Sequence, residues 1–173
     1  MYKVLSDNRT GGTTAFKTTL EYKVSGGNLE FVFDCENTQY FSAYSLNNEP
    51  IYMGDVVEVF IGVGAKPSTY FEIEVAPNGA VFFAKIKNKD EKPKVELKDP
   101  TFKTSVKKTK SGYKSVISIP EKILDELGKG KLYFNAFRIE TEGGETDKNL
   151  IALSPTLCGT FHKPEYFVPL DED

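Results

Sequence analysis

The chain has 173 residues, 22 basic against 25 acidic side chains, and a net charge of -3. That length suits one domain able to bury ~70% of its unfolded surface, and the lack of a basic surplus argues against nucleic acid as a partner. No apolar run approaches the ~18 residues of a membrane span, and the sequence turns polar after Val4-Leu5, so an intracellular or undetermined setting is expected, with no membrane partner.

Alternation of apolar and polar residues, bounded by Gly, Asn, Asp or Pro, predicts strands at 18–24, 29–34, 56–62, 70–75 and 80–86. Further strands are predicted at 102–107, 113–119, 131–140 and 166–170. Ser25-Gly26-Gly27-Asn28 and Pro77-Asn78-Gly79 read as hairpin turns, because Gly and Asn tolerate positive φ. The segments 87–100 and 142–148 read as polar loops. One short helix is expected at 121–127: Pro120 opens it, Ile123, Leu124 and Leu127 form its apolar stripe, and Gly128 stops it. A single helix cannot serve the crossovers of a parallel sheet. The expected fold is therefore all-β, an antiparallel β-sandwich of immunoglobulin-like or jelly-roll type with one short helix, forming a single domain over 1–173.

Phe31, Phe33, Phe71 and Phe134 alternate with other residues as buried sandwich positions do. Cys35 and Cys158 match no metal or redox spacing and read as ordinary thiols. Glu72 and Glu74 share one strand face opposite Phe71, Ile73 and Val75, and a solvated outer face accounts for them.

The segment from Asn48 to Ile61 carries the strongest functional signal. A loop with Pro50, Tyr52, Met53 and Gly54 runs into a β-branched strand that holds one carboxylate, Glu58. A carboxylate in a strand otherwise fit for burial is costly unless something binds it. A ring beside a fixed acceptor is a means of holding a sugar. Tyr40, Tyr44 and Tyr52 crowd this loop, where either loop packing or a ligand platform explains them. In the strand at 131–140, Asn135 and Arg138 suit sugar hydroxyls and suit buried structural pairing equally well.

Catalysis has little footing. His162 is the single histidine, and a loop-bracing role fits it better than a catalytic one, because no nucleophile motif accompanies it. The usual zinc sites need several His or Cys ligands and are not expected. Asp34, Glu36 and Asn37 gather enough oxygens for a structural calcium, although a turn explains them equally.

Taken together, Asp55-Val56-Val57-Glu58-Val59-Phe60-Ile61, Pro77-Asn78-Gly79, Ile119-Pro120, Asn135-Ala136-Phe137-Arg138, Leu153-Ser154-Pro155-Thr156 and Phe161-His162-Lys163-Pro164-Glu165-Tyr166-Phe167 resemble carbohydrate-binding module family 9-like domains of the DOMON-like superfamily. The resemblance implies a non-catalytic module that recognises a small sugar or glycan chain end. Sugar-binding members of that family clamp a terminal sugar between two Trp rings. Those ring positions fall on Tyr52 and Leu153, with Glu58 as an acceptor and Lys85, Asn135 and Arg138 as further polar contacts. Tyr and Leu in place of Trp imply weaker stacking. The same superfamily implies an alternative, a haem domain with Met53 and His162 as axial ligands. A third alternative is a protein-interaction sandwich without a small-molecule ligand.

Overall fold

The computed structural model describes residues 2–144 and 148–170. The strands in chain order are β1 (Tyr2–Val4), β2 (Ser6–Asp7), β3 (Thr18–Ser25), β4 (Asn28–Glu36), β5 (Val56–Val63), β6 (Thr69–Val75) and β7 (Val81–Lys89). After these come β8 (Lys92–Leu97), β9 (Lys103–Lys108), β10 (Gly112–Pro120), β11 (Leu132–Glu140), β12 (Asn149–Ala152) and β13 (Val168–Pro169). One short helix, α1 (Glu121–Leu124), follows β10 and tightens into a 3-10 turn at Asp125–Leu127, where Gly128 ends it at φ 100°.

Two antiparallel sheets pack face to face, as the sequence implied. The five-stranded sheet runs β1-β3-β4-β10-β9, and the eight-stranded sheet runs β2-β12-β11-β5-β6-β7-β8 with β13 added beside β11. Between them lies a core that includes Phe31, Phe33, Phe71, Phe83 and Phe134. Strand alternation sends Val57, Val59 and Ile61 of β5 and Phe71, Ile73 and Val75 of β6 into it.

The segment predicted as a polar loop at 87–100 holds β8. Asp90 and Glu91 both adopt positive φ (54° and 58°), the geometry of a tight hairpin turn between β7 and β8. Every residue of β8 is exposed, and Pro93 is tolerated because the strand lies at the sheet edge. The other predicted loop, 142–148, lies partly outside the described residues, 145–147 being left out. Cys35 and Cys158 are both free, and burial pushes the Cys35 thiol up to about 11.

The eight-stranded sheet is also covered on its outer face. Val56 and Phe60 of β5, Tyr70 of β6, Phe82, Ala84 and Ile86 of β7, and Phe137 and Ile139 of β11 form a second apolar cluster there. Ile51, Phe161 and Phe167, from the segments before β5 and after β12, roof part of it. As a result all residues of β5 from Val56 to Gly62 are buried, on both faces.

Arg138 of β11 points the other way, into the core between the sheets, and is fully buried. Its Nη1 donates to Thr18 Oγ1 at 3.0 Å and its Nη2 to the Glu36 carbonyl at 2.8 Å, and the guanidinium lies 5.7 Å from the Tyr113 ring centre. It ties the two sheets together. Truncation would leave Thr18 and the Glu36 carbonyl unpaired around a void, so Arg138→Ala is expected to lower stability by about 3 kcal/mol in urea unfolding. A loss below about 1 kcal/mol would show that the guanidinium does not tie the sheets.

Candidate functional site

The partial roof leaves a hollow of about 530 Å³ on the outer face of the eight-stranded sheet. Its walls are Phe60, Phe82, Ile139, Leu150 and Phe161, with Val95 and Leu97 of β8 on one side and Pro50 and Tyr52 at the rim. Its floor is acidic. Glu58 of β5 lies directly across the strand pairing from Glu74 of β6, and Glu72 follows on the same face. The three side chains are 2%, 1% and 7% exposed in the order Glu58, Glu74, Glu72. One carboxylate oxygen from each lies within 4.8 Å of the others.

Burial dominates the electrostatics. It raises all three carboxyls, Glu72 to about 7, and Glu58 and Glu74 well above the usual carboxylate range, with mutual repulsion adding to the effect on those two. Lys148 opposes the shift of Glu58 and Glu74 from the rim, where its Nζ donates to the Tyr52 carbonyl at 2.8 Å. Glu72 and Glu74 also hydrogen-bond to each other, which raises Glu74 and lowers Glu72, while Glu74 Oε2 is left without a partner.

His162 stands beside the trio. Its Nδ1 is 2.8 Å from Tyr70 Oη, and Asn88 Nδ2 donates to that same oxygen at 3.2 Å. The Tyr70 hydroxyl is assigned as donor to Nδ1, which leaves the neutral ring's own proton on Nε2, 3.9 Å from Glu72 Oε1. Burial lowers the imidazole to about 4, so it is uncharged near neutrality and forms no ion pair with Glu72.

Two buried brackets hold the roof. Asp55 Oδ2 accepts from the Phe41 amide at 2.9 Å and the Thr141 hydroxyl at 2.5 Å, while its own amide donates to the Phe41 carbonyl at 2.7 Å. Gly54 lets this approach happen: a Cβ there would sit 2.5 Å from the Phe41 carbonyl oxygen. On the other side Asn8 accepts from the Thr156 amide and donates to the Thr156 hydroxyl and the Cys158 carbonyl, fixing the segment that carries Phe161 and His162.

Of the residues singled out from sequence, Tyr52 and Glu58 meet at the hollow, Tyr52 at 42% exposure. The other four lie outside it. Arg138 is in the inter-sheet core, on the opposite face. Asn135 is buried beneath the roof, accepting from the Ser154 amide at 3.0 Å and donating to the Ser154 carbonyl at 2.7 Å, a third bracket for that segment. Lys85 pairs with Phe71 on the inner face and reaches the Glu126 carbonyl at 3.4 Å. Leu153 packs against the inter-sheet core, and the ring on that wall comes from Phe161, stacked at 4.1 Å on Phe137. Met53 lies on the exposed side of the 3-10 turn Ile51–Met53, at 38% exposure. Asn37 turns its amide to Glu140 Oε1 at 2.6 Å, whereas Asp34 and Glu36 line a separate shallow depression on the five-stranded sheet.

Glu72 and Glu74 overturn the expectation of a solvated face. The alternation holds, with Phe71, Ile73 and Val75 facing the core, but the outer face of β6 is roofed. The signal that flagged Glu58, a carboxylate among buried-strand neighbours, was present in Tyr70-Phe71-Glu72-Ile73-Glu74-Val75 as well.

No protein-family model matches the chain. Over 87% of its length the chain is 29% identical to a protein of Arthroderma benhamiae described as an extracellular protein, covering 76% of that relative. A Bacteroides uniformis structure, provisionally described as a carbohydrate-binding protein, superposes with a TM-score of 0.81 at 13% identity, over all of this chain and 86% of that one. A family 9 carbohydrate-binding module of Caldicellulosiruptor kristjanssonii solved with cellotriose superposes at 0.62 and 15% identity, over 96% of this chain and 79% of the module. The same source's module with glucose superposes at 0.60 and 15% identity, over 99% and 84%. The chain has the fold of family 9 carbohydrate-binding modules. Among the described residues no helix is long and apolar enough to cross a membrane.

The electrostatics of the floor set a pH dependence. A carboxyl raised on folding holds its proton longer in the native state, so stability falls as pH rises from its unfolded value through its folded one. His162, lowered on folding, acts in the opposite sense, and only between about 4 and its ordinary value near 6.5. Above about pH 6.5 the carboxyls act alone until about pH 8.5, where the raised Cys35 thiol adds a fall of the same sign. The melting temperature of the ligand-free protein is therefore expected to drop by a few degrees between about pH 6.5 and 8.5. Glu74→Gln should flatten that slope. A flat wild-type profile would show that the trio is solvated.

Proposed function

We propose that this chain binds a carbohydrate, without cleaving it, in the hollow on the outer face of the eight-stranded sheet. The observation that carries the reading is the pairing of a half-exposed ring with buried acceptors: Tyr52 stands at the rim while Glu58 and its neighbours form the floor. A sugar offers an apolar ring face to an aromatic side chain and hydroxyl donors to carboxyl oxygens. A volume near 530 Å³ falls within the range of small-molecule sites. The fold adds support, because modules built on it have been solved holding cellotriose and glucose.

The carboxyl arrangement supports binding over hydrolysis. Glycoside cleavage places two carboxyls on either side of the scissile bond. Here Glu58, Glu72 and Glu74 share one floor on adjacent strands. The extracellular description of the Arthroderma benhamiae relative supports an extracellular setting in place of the intracellular one expected from sequence.

The reading is tested by titrating neutral and charged mono- and oligosaccharides into the wild type and Tyr52→Ala. The variant is expected to bind about tenfold more weakly or worse, for loss of a stacking contact of about 1.5 kcal/mol. Its melting temperature should stay within about 2 °C, since Tyr52 is an exposed rim residue. Equal affinity of the two proteins for every sugar that binds, or no binding across the panel, would refute it.

A further inference from the structure

We propose, resting on the carbohydrate-binding reading, that the hollow recognises its ligand through a protonated amine: an amino sugar whose ammonium is held by Glu58, Glu72 and Glu74. The register makes the case first. Glu58 and Glu74 are direct cross-strand partners, and Glu72 lies on the same face opposite Phe60. Like charges in that relation destabilise a sheet. Burial on a two-sided sheet makes the repulsion worse, because little water reaches it.

The second observation is an unmet demand for donors. Glu74 is 1% exposed, lines the hollow, and its Oε2 accepts no hydrogen bond. Among the lining residues in the described structure none is Lys or Arg. His162 brings one neutral N–H towards Glu72, and Lys148 is engaged at the rim by the Tyr52 carbonyl. Hydroxyl groups of a neutral sugar could donate to these oxygens but would bring no charge to replace the protons that the raised carboxyls hold. A cation does both.

Geometry and surroundings select an organic ammonium over a metal ion. The three oxygens lie within 4.8 Å of one another. A tetrahedral ammonium making N–H···O bonds of about 2.8 Å spans acceptors about 4.6 Å apart. Calcium would want ~6–8 oxygens, whereas the walls above this floor are mostly apolar, Phe60, Phe82, Ile139, Leu150 and Phe161, with only Asn48, Thr160 and His162 as polar side chains. Those walls suit the carbon skeleton of a sugar, and aromatic faces add attraction for its charge. In the free protein the raised carboxyls keep part of their protons, so an arriving ammonium displaces them and binding releases protons to the buffer.

Calorimetric titration with D-glucosamine, D-glucose and N-acetyl-D-glucosamine at about pH 6.5, where a sugar amine is largely protonated, tests this. Glucosamine is expected to bind at least about tenfold more tightly than the two neutral sugars, the worth of one added charge-assisted hydrogen bond. Its binding heat should differ between buffers of different ionisation enthalpy. Glu74→Gln, which keeps the shape and removes the charge, should cut the advantage to about twofold. Glucose binding as tightly as glucosamine would overturn this proposal and leave the carbohydrate reading standing. Failure of all three sugars, and of every other sugar in the panel, would overturn both. Calcium that raises the melting temperature of the wild type but not of Glu74→Gln would assign the trio to a metal and overturn the amine.

Discussion

The organising constraint is that the centre of the eight-stranded sheet, β5, β6 and β11, is buried on both of its faces. β5 and β6 alternate Val, Ile and Phe towards the inter-sheet core, yet their other positions carry Val56, Phe60 and Tyr70, which also need cover. A two-layer sandwich offers only one inner face, so the second must be roofed by loops. Residues before β5 and after β12 supply that roof. Loops do not bury themselves readily, because their backbone groups must be paired. Here Asp55, Asn8 and Asn135 do the pairing, each with buried side-chain atoms bonded to loop amides or carbonyls. Where the roof stops, the hollow begins.

The position of the hollow explains its chemistry. A pocket in the middle of a roofed sheet sees little water, so carboxyls on its floor are costly to ionise and strong once paired. The same feature that weakens the empty protein would give the proposed recognition its energy. The segments that carry Phe161, His162 and Tyr52 are held by neighbouring brackets, which reduces the ordering that a ligand would otherwise have to impose.

Much of this was legible in the sequence. Alternation and turn residues placed nine strands and the helix within a few residues of their observed ends, because most have a buried stripe, and β9 and β13 a half-buried one, bordered by turn residues. β8 was hidden because an exposed edge strand such as Lys92-Pro93-Lys94-Val95-Glu96-Leu97 has no buried stripe, and its turn uses Asp90-Glu91 without glycine. β1, β2 and β12 are too short to show a period. Glu58 stood out, whereas Glu72 and Glu74 did not. Their alternation is identical for a solvated face and for a roofed one, and the roof comes from residues far along the chain. Arg138 and Asn135 illustrate the converse, since a polar residue in an apolar strand announces only that it needs partners.

Which partners it finds separates scaffold from site, and Glu140 makes the comparison with the trio direct. Glu140 is a carboxyl at the end of a central strand and, like Glu58, is buried. It accepts from the Asn37 side chain at 2.6 Å, the Glu142 amide at 2.8 Å and the Asn149 side chain at 2.8 Å, so its oxygens are paired within the protein. Nothing remains for a ligand to supply. Glu74, equally buried, faces an open cavity with one oxygen unpaired. Arg138 leaves its Nε without an acceptor too, but it does so in the sealed core, where no ligand can reach. Both conditions are needed together, an unmet hydrogen bond and a route to solvent. Among the charged side chains of the described residues they coincide at the floor of the roofed sheet, which is why the proposed recognition is assigned there and the remaining buried charges to the scaffold.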